Sequence, residues 1–511
     1  ALICQYCAAR ASQGFGTMVR NDLYAHINSF SHAELDLFGT DTLINVLTND
    51  INQMQLAVAM LIRLVVRVPF LIIGAIVMSM ILDLKLSVIF LIVAPMVSAV
   101  LYLIMKKSVP YYRVRQKMLD KVSLITRENL SGARVIRAFS KQDHETERFK
   151  KANDDVAEIA INVGKISAFL NPATFAILNI AILAILWFGG IRVDEGSLTQ
   201  GEVVAFTNYM TQISLALVVF ANLVVIFTKA AASAGRINKV FETSCTLIEK
   251  ESGILNVQTG SPGDNGYTDK PLVSFDNVSF SYPGTDKYAL EDISFDIKAG
   301  EVTGIIGGTG SGKSTLVNLL PRFYDVTKGV IRINGIPIED YPINKLRDMF
   351  GIVPQKAVLF SGSIIDNIRY YKEDATTDEI KRALEIAQAR DFVERLPQGY
   401  DTLINQGGRN LSGGQRQRIT IARALVRNPK ILILDDSFSA LDYVTDANLR
   451  EALRKNCKDT TVIIVSQRAN TIKNADKIIV LDDGRIAGIG RHEDLYRSCH
   501  VYREICDSQI N

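Results

Sequence analysis

Long stretches without a single acidic or basic side chain set the first limit on this chain. Leu86 to Met105, Ile166 to Ile191 and Val203 to Thr228 are such runs, and each reaches the roughly 20 residues that cross a bilayer core. Val68 to Leu82 is a shorter fourth run, whose helix is expected to begin before Arg63. Asp83-Leu-Lys85 forms a tight turn between two of these runs. Gly189-Gly190 with the polar stretch Arg192 to Gln200 forms another. Two membrane hairpins follow, Met60 to Met105 and Ile166 to Thr228.

Between the hairpins, Lys106 to Lys165 is charged and periodic, and Arg20 to Gln55 has the same character. Neither can sit as loop in lipid. Both read as membrane helices continuing into water, where 25 further residues project roughly 40 Å. Lys106, Lys107, Arg115, Lys117, Arg134, Arg137 and Lys141 place these extensions in the cytoplasm and the short turns outside. Ala1 to about Phe15 reads as the tail of a further helix. An even count then requires six membrane helices, with the first missing and the second partial. Arg63 and Arg67, one turn apart, either line a cavity or gate or reach back to the cytoplasmic interface.

A net charge of +3 gives no field suited to nucleic acid. Cys4, Cys7, Cys245, Cys457, Cys499 and Cys506 make no paired metal-binding arms and read as single packed thiols.

The pattern changes after residue 242. The expected organisation is a membrane domain with long helical extensions over 1–242, a linker over 243–271 and a soluble α/β domain over 272–511. Val302 to Ile306 is a buried-type strand. It runs into Gly307-Gly308-Thr309-Gly310-Ser311-Gly312-Lys313-Ser314-Thr315, and a helix follows from Leu316. That is a phosphate loop in its required setting. Its glycines let backbone N–H groups approach phosphate, Lys313 adds a cation, and Ser314 offers an oxygen to Mg²⁺. A second apolar strand, Ile431 to Leu434, ends in Asp435 and Asp436. Asp435 is placed to hold Mg²⁺. In many such enzymes the next carboxylate orients the attacking water.

On these motifs the chain resembles the ATP-binding cassette exporters along its whole length. Leu411-Ser412-Gly413-Gly414-Gln415 matches the family signature, which caps ATP held by the partner's phosphate loop. Ser412, Gly414 and Gln415 are the implied contacts. The resemblance further implies Gln355 on Mg²⁺, Tyr282 stacked on adenine, Ser439 to Asp442 linking the two ATP sites, and Gln406 to Asn410 touching the cytoplasmic helix ends. ATP and Mg²⁺ are the implied cofactors, and a second exporter subunit is the implied partner. The protein is then expected in the cytoplasmic membrane, with its ATP domain in the cytoplasm.

Two positions depart from the family pattern. Asp436 stands where the catalytic glutamate is usual, and Gln467 where a histidine contacts the γ-phosphate. A shortfall of one methylene matters where about 1 Å of misplacement costs on the order of a hundredfold. Both departures imply that the chain's own site hydrolyses slowly or not at all. The expected function is therefore ATP-driven export of drugs or lipids by the degenerate-site half of a heterodimeric multidrug exporter. The alternative is a homodimeric lipid or peptide exporter with both sites active.

Overall fold

The computed structural model describes residues 2–247 and 271–509. Most of the expected linker, residues 248–270, lies outside them. The chain divides into two units, residues 1–28 with 41–243, and residues 29–40 with 244–511.

The first unit is helical throughout, as lipid demands of any segment that crosses it. Among the described residues, four helices are long and apolar enough to span: Thr40–Leu82, Leu84–Ser131, Gln142–Asp194 and Gln200–Glu242. Their lengths exceed the bilayer core, so apolar run and charged extension form one rod, as the sequence implies. Leu86, Phe90, Val93, Val97 and Leu101 fall at spacings of three and four and make one buried stripe. They pack with Leu178, Ala181 and Ile185 and with Phe206, Met210 and Ile213. A Cβ on Gly189 would stand 3.0 Å from Val203 Cγ2, so the two helices pack closely at this glycine. Phe70, Ile92, Leu183 and Trp187 point outward and stay exposed.

The expectation of six membrane helices with the first missing is corrected. The opening segment is itself a continuous helix, Leu2–Asn28, whose residues Ala8, Ser12, Gly16 and Leu23 form a buried stripe. The opening apolar stretch read as a tail because it ends near Phe15, whereas its helix runs on without a break to Asn28. Arg20 donates to the Leu47 carbonyl at 3.3 Å and to Asn52 Oδ1 at 3.2 Å. Arg63 sits in a π-helical turn, Leu61–Val65, and its guanidinium reaches the Gln5 carbonyl at 3.5 Å on this first helix.

The two short turns are tied together. Asp83 caps its helix by accepting from the Leu86 amide at 2.8 Å, and its other oxygen accepts from Arg192 at 2.6 Å. A second carboxylate, Asp50, is 2% exposed and accepts from Ser233 and Arg236.

The second unit is built on a six-stranded sheet. Its strands run in the order β12 (Arg485–Gly490), β11 (Lys477–Asp482), β3 (Val302–Gly307), β10 (Thr461–Val465), β9 (Ile431–Asp435) and β6 (Phe350–Val353). All pair in parallel except β12. β9 and β10 are buried on every residue, hence their unbroken apolar runs. Alternate residues feed opposite cores. Ile431, Ile433, Ile463 and Val465 enter one, and Leu432, Leu434, Val462 and Ile464 the other. A second sheet has the order β2 (Leu290–Ile297), β1 (Val273–Phe280), β4 (Lys328–Ile333) and β5 (Ile336–Pro337), and it is antiparallel.

The short helix His32–Phe38 belongs to this unit. It is the turn of the first extension. The His32 ring stacks on Phe323 at 4.3 Å, and Asp36 accepts from the Tyr324 hydroxyl at 2.6 Å. The contacts of this turn within the unit are with Phe323 and Tyr324.

Removing Asp83 should cost more than removing Arg192, because Asp83 also caps a helix. Asp83→Ala loses about 1 kcal/mol from the cap alone. In detergent melts it should fall further than Arg192→Ala, and the double variant should fall by less than the sum. Additive losses would show that the pair is not coupled.

Candidate functional site

The carboxyl ends of five adjacent parallel strands lie along one edge of the sheet. β3 ends at Gly307 and enters the phosphate loop. β9 ends at Asp435, β10 leads to Gln467, β6 leads to Gln355, and β11 leads to Asp483 and Gly484. Such an edge is where open α/β sheets take ligands.

A cavity of about 470 Å³ opens there. Its walls include Tyr282, Thr309, Gly310, Gly312, Lys313, Ser314, Thr315, Gln355, Asp435, Asp436 and Gln467, which the sequence had singled out one by one. Gly307 and Ser311 are buried beneath the loop, and Gly308 is exposed. The Lys313 ammonium donates to the carbonyls of Gly307 at 2.9 Å and Gly308 at 2.5 Å, and to Ser311 Oγ at 3.3 Å. The loop thus holds its own cation in place. Burial pulls the Lys313 pKa down, and the charges of Asp435 and Asp436 oppose that pull.

Two glycines of the loop have left-handed backbone, Gly310 at φ +83° and Gly312 at φ +93°. A Cβ on Gly312 would also stand 2.7 Å from Leu290 Cδ2 and 2.9 Å from the Ala289 carbonyl. At Gly307 a Cβ would meet the Leu481 carbonyl and Ser311 Oγ. This bare backbone is a cradle of the kind that phosphate oxygens fill.

Ser314 Oγ donates to Asp435 Oδ1 at 3.1 Å. Burial raises the Asp435 pKa and the neighbouring Asp436 adds to the rise, while the Ser314 hydrogen bond opposes both. A buried carboxylate beside a hydroxyl, with the Gln355 amide on the same wall, is a hard-oxygen set suited to Mg²⁺. Gln355 Nε2 is 3.5 Å from Asp436 Oδ2. Asp436 itself has φ +45°, a conformation that Asp tolerates better than longer side chains.

Tyr282 lies edge-on to Phe280 and Tyr324, with centroids 4.9 and 5.4 Å away, and its hydroxyl is 2.9 Å from Thr315 Oγ1. Sequence reading missed Tyr288, Asp483 and Gly484 on the same wall. The only signal for the last two was the turn-type run Asp482-Asp483-Gly484.

The signature residues are not on this wall. Ser412 is the N-cap of the Gly413–Leu425 helix, and Gln415 closes a capping box with it. Ser412 and Gly413 are exposed. One chain therefore carries a phosphate cradle and, separately, an open helix start. Ser439 Oγ and the Asp442 cap fix the segment between β9 and the next helix, Tyr443–Asn456.

The family model for the ABC transporter transmembrane region matches residues 1–217, and the ABC transporter model matches residues 290–439. The chain is 40% identical over 509 residues to an uncharacterized ABC transporter ATP-binding protein, YfiB, of Bacillus subtilis (strain 168). That match covers 100% of this chain and 86% of the relative. It is 32% identical over 507 residues to the ATP-dependent lipid A-core flippase of Hahella chejuensis, covering 99% of this chain and 85% of that one. Its fold matches a bacterial Atm1-family ABC exporter with ATP bound. The TM-score is 0.82 at 28% identity, over 98% of this chain and 87% of the other.

These likenesses overturn the expected degenerate-site half of a heterodimeric multidrug exporter. The geometry gives the reason. Asp436 keeps a carboxylate in the cavity on a left-handed backbone, and Gln467 keeps an amide donor on the same wall. Both departures change length and titration; neither removes the polar group.

Gly312→Ala should abolish nucleotide binding and lower the melting temperature, since a left-handed non-glycine residue with close contacts costs about 1–3 kcal/mol. Gly308→Ala, where a Cβ meets nothing within 4 Å, should melt near the parent protein. Equal melting temperatures for the two would refute the role given to Gly312.

Proposed function

The chain belongs to the ABC transporter family, and from that premise we propose that two identical copies form an exporter with both ATP sites hydrolytic, moving a lipid-type amphiphile. ATP with Mg²⁺ is the nucleotide, and hydrolysis is coupled to transport across the membrane in which the protein is multi-pass, with its ATP domain in the cytoplasm. The observation that carries the proposal is the separation of cradle and signature on one chain. Two copies facing head to tail would place the Ser412 helix start of each over the Lys313 cradle of the other, closing two equal sites.

In such a site Ser314, Asp435 and Gln355 would hold Mg²⁺, and the ion would supply positive charge against the phosphates. The Gly310 to Ser314 amides and Lys313 bind the β- and γ-phosphates. Tyr282 takes the adenine. Gly413 and Gly414 amides at the partner's helix start donate to the γ-phosphate. Asp436 accepts a proton from the attacking water, and the Gln467 amide donates to a γ-phosphate oxygen. The lipid A-core flippases among the relatives support a lipid-type cargo.

Complementation tests the arrangement. Lys313→Ala and Gly414→Asp copies should each be inactive alone. Mixed dimers gather both lesions in one site and leave the other intact, so mixing should restore ATPase. No recovery on mixing would refute the shared site. In proteoliposomes the parent protein should flip a labelled phospholipid with ATP; nucleotide turnover without flipping would refute the cargo class.

Asp436→Asn should lower kcat by about 10²–10⁴ with nucleotide affinity retained, the range for loss of a general base. An unchanged kcat would remove Asp436 from the chemistry.

A further inference from the structure

The loop after β10 carries Gln467 into the nucleotide cavity, and something must hold that loop. Ser466 is fixed by its amide to the Ile305 carbonyl at 3.0 Å. Arg468 is fixed by its amide to Ser466 Oγ at 2.9 Å. The carbonyl of Gln467 and the amide of Ala469 are held from elsewhere. Gln509 Nε2 donates to the Gln467 carbonyl at 2.7 Å, and Gln509 Oε1 accepts from the Ala469 amide at 2.8 Å.

One primary amide thus pairs with both backbone groups, as an adjacent strand would. The chemistry demands both a donor and an acceptor in one plane. A carboxylate lacks the donor, and an ammonium lacks the acceptor. Gln509 is delivered by a firm support. The helix His500–Asp507 sinks Tyr502 and Cys506 into the core, and the Gln509 backbone N–H donates to the Cys506 carbonyl at 3.1 Å.

We propose that Gln509 is a positioning residue for ATP hydrolysis. It clamps the peptide planes on either side of Arg468 and so aims the Gln467 side chain at the γ-phosphate. The inference rests on the role given to Gln467 above. A side chain without a titrating ring has no charge to draw it to phosphate, so its backbone must be fixed by other means.

The test uses the whole chain in lipid nanodiscs, with Gln509→Ala, Gln509→Glu and Gln467→Ala. Gln509→Ala should lower kcat at least about fivefold, consistent with the steep cost of small misplacements, while KM for ATP and the melting temperature stay near the parent values. Gln509→Glu should be as impaired at pH 8. The carboxylate keeps the acceptor for the Ala469 amide and lacks the donor to the Gln467 carbonyl. A parental kcat in Gln509→Ala overturns the proposal. So does a loss shared equally by KM and melting temperature, or a parental kcat in Gln509→Glu at pH 8. If Gln467→Ala lowers kcat and Gln509→Ala does not, the clamp alone fails. If Gln467→Ala keeps the parental kcat, the role of Gln467 fails and the clamp falls with it.

Discussion

Parallel pairing of β11, β3, β10, β9 and β6 is the constraint on which the ATP site depends. Both faces of this sheet are covered, so its strands are almost wholly apolar, with the buried Thr303 of β3 an exception. No charged group can sit mid-strand. Asp435 is the first acid that β9 admits, and it comes at the last residue of the strand, where the sheet opens to the cavity. Because the strands run in one direction, their ends converge on one edge. Residues far apart in sequence, from Thr309 to Asp483, meet there, and Tyr282 joins them from the end of β1 in the antiparallel sheet.

The helical unit answers the same demand differently. In lipid each backbone group is satisfied within its own helix, and side-chain charge is displaced to the ends. Asp83 and Arg192 therefore meet at the two short turns, and the paired carboxylate turns a liability into a tie between hairpins. Asp50 with Arg236 does the same along the rods that run beyond the apolar stretches. Small residues decide where helices come close, as Gly189 does against Val203.

The phosphate loop was legible in sequence because its requirements are local. Glycines at positive φ, a lysine and a hydroxyl must follow a strand and open a helix, and all of them are neighbours in the chain. The four membrane runs were legible because crossing a bilayer needs length and apolarity, both one-dimensional. The full extent of the opening helix, Leu2–Asn28, was not legible, because its buried stripe of Ala8, Ser12, Gly16 and Leu23 is small and polar as well as apolar. Asp436 and Gln467 were misread because a change of side-chain length says nothing of the backbone that carries it.

The sequence by itself determined the two kinds of domain, the nucleotide and the edge of the sheet at which it binds, since each follows from local pattern. Only the tertiary structure decided how Asp436 is aimed, that Gln509 reaches the loop of Gln467, and that the Ser412 helix start lies apart from the cradle. Those are distances between segments separated by tens to hundreds of residues. Burial and register set them, and neither is written in any one segment.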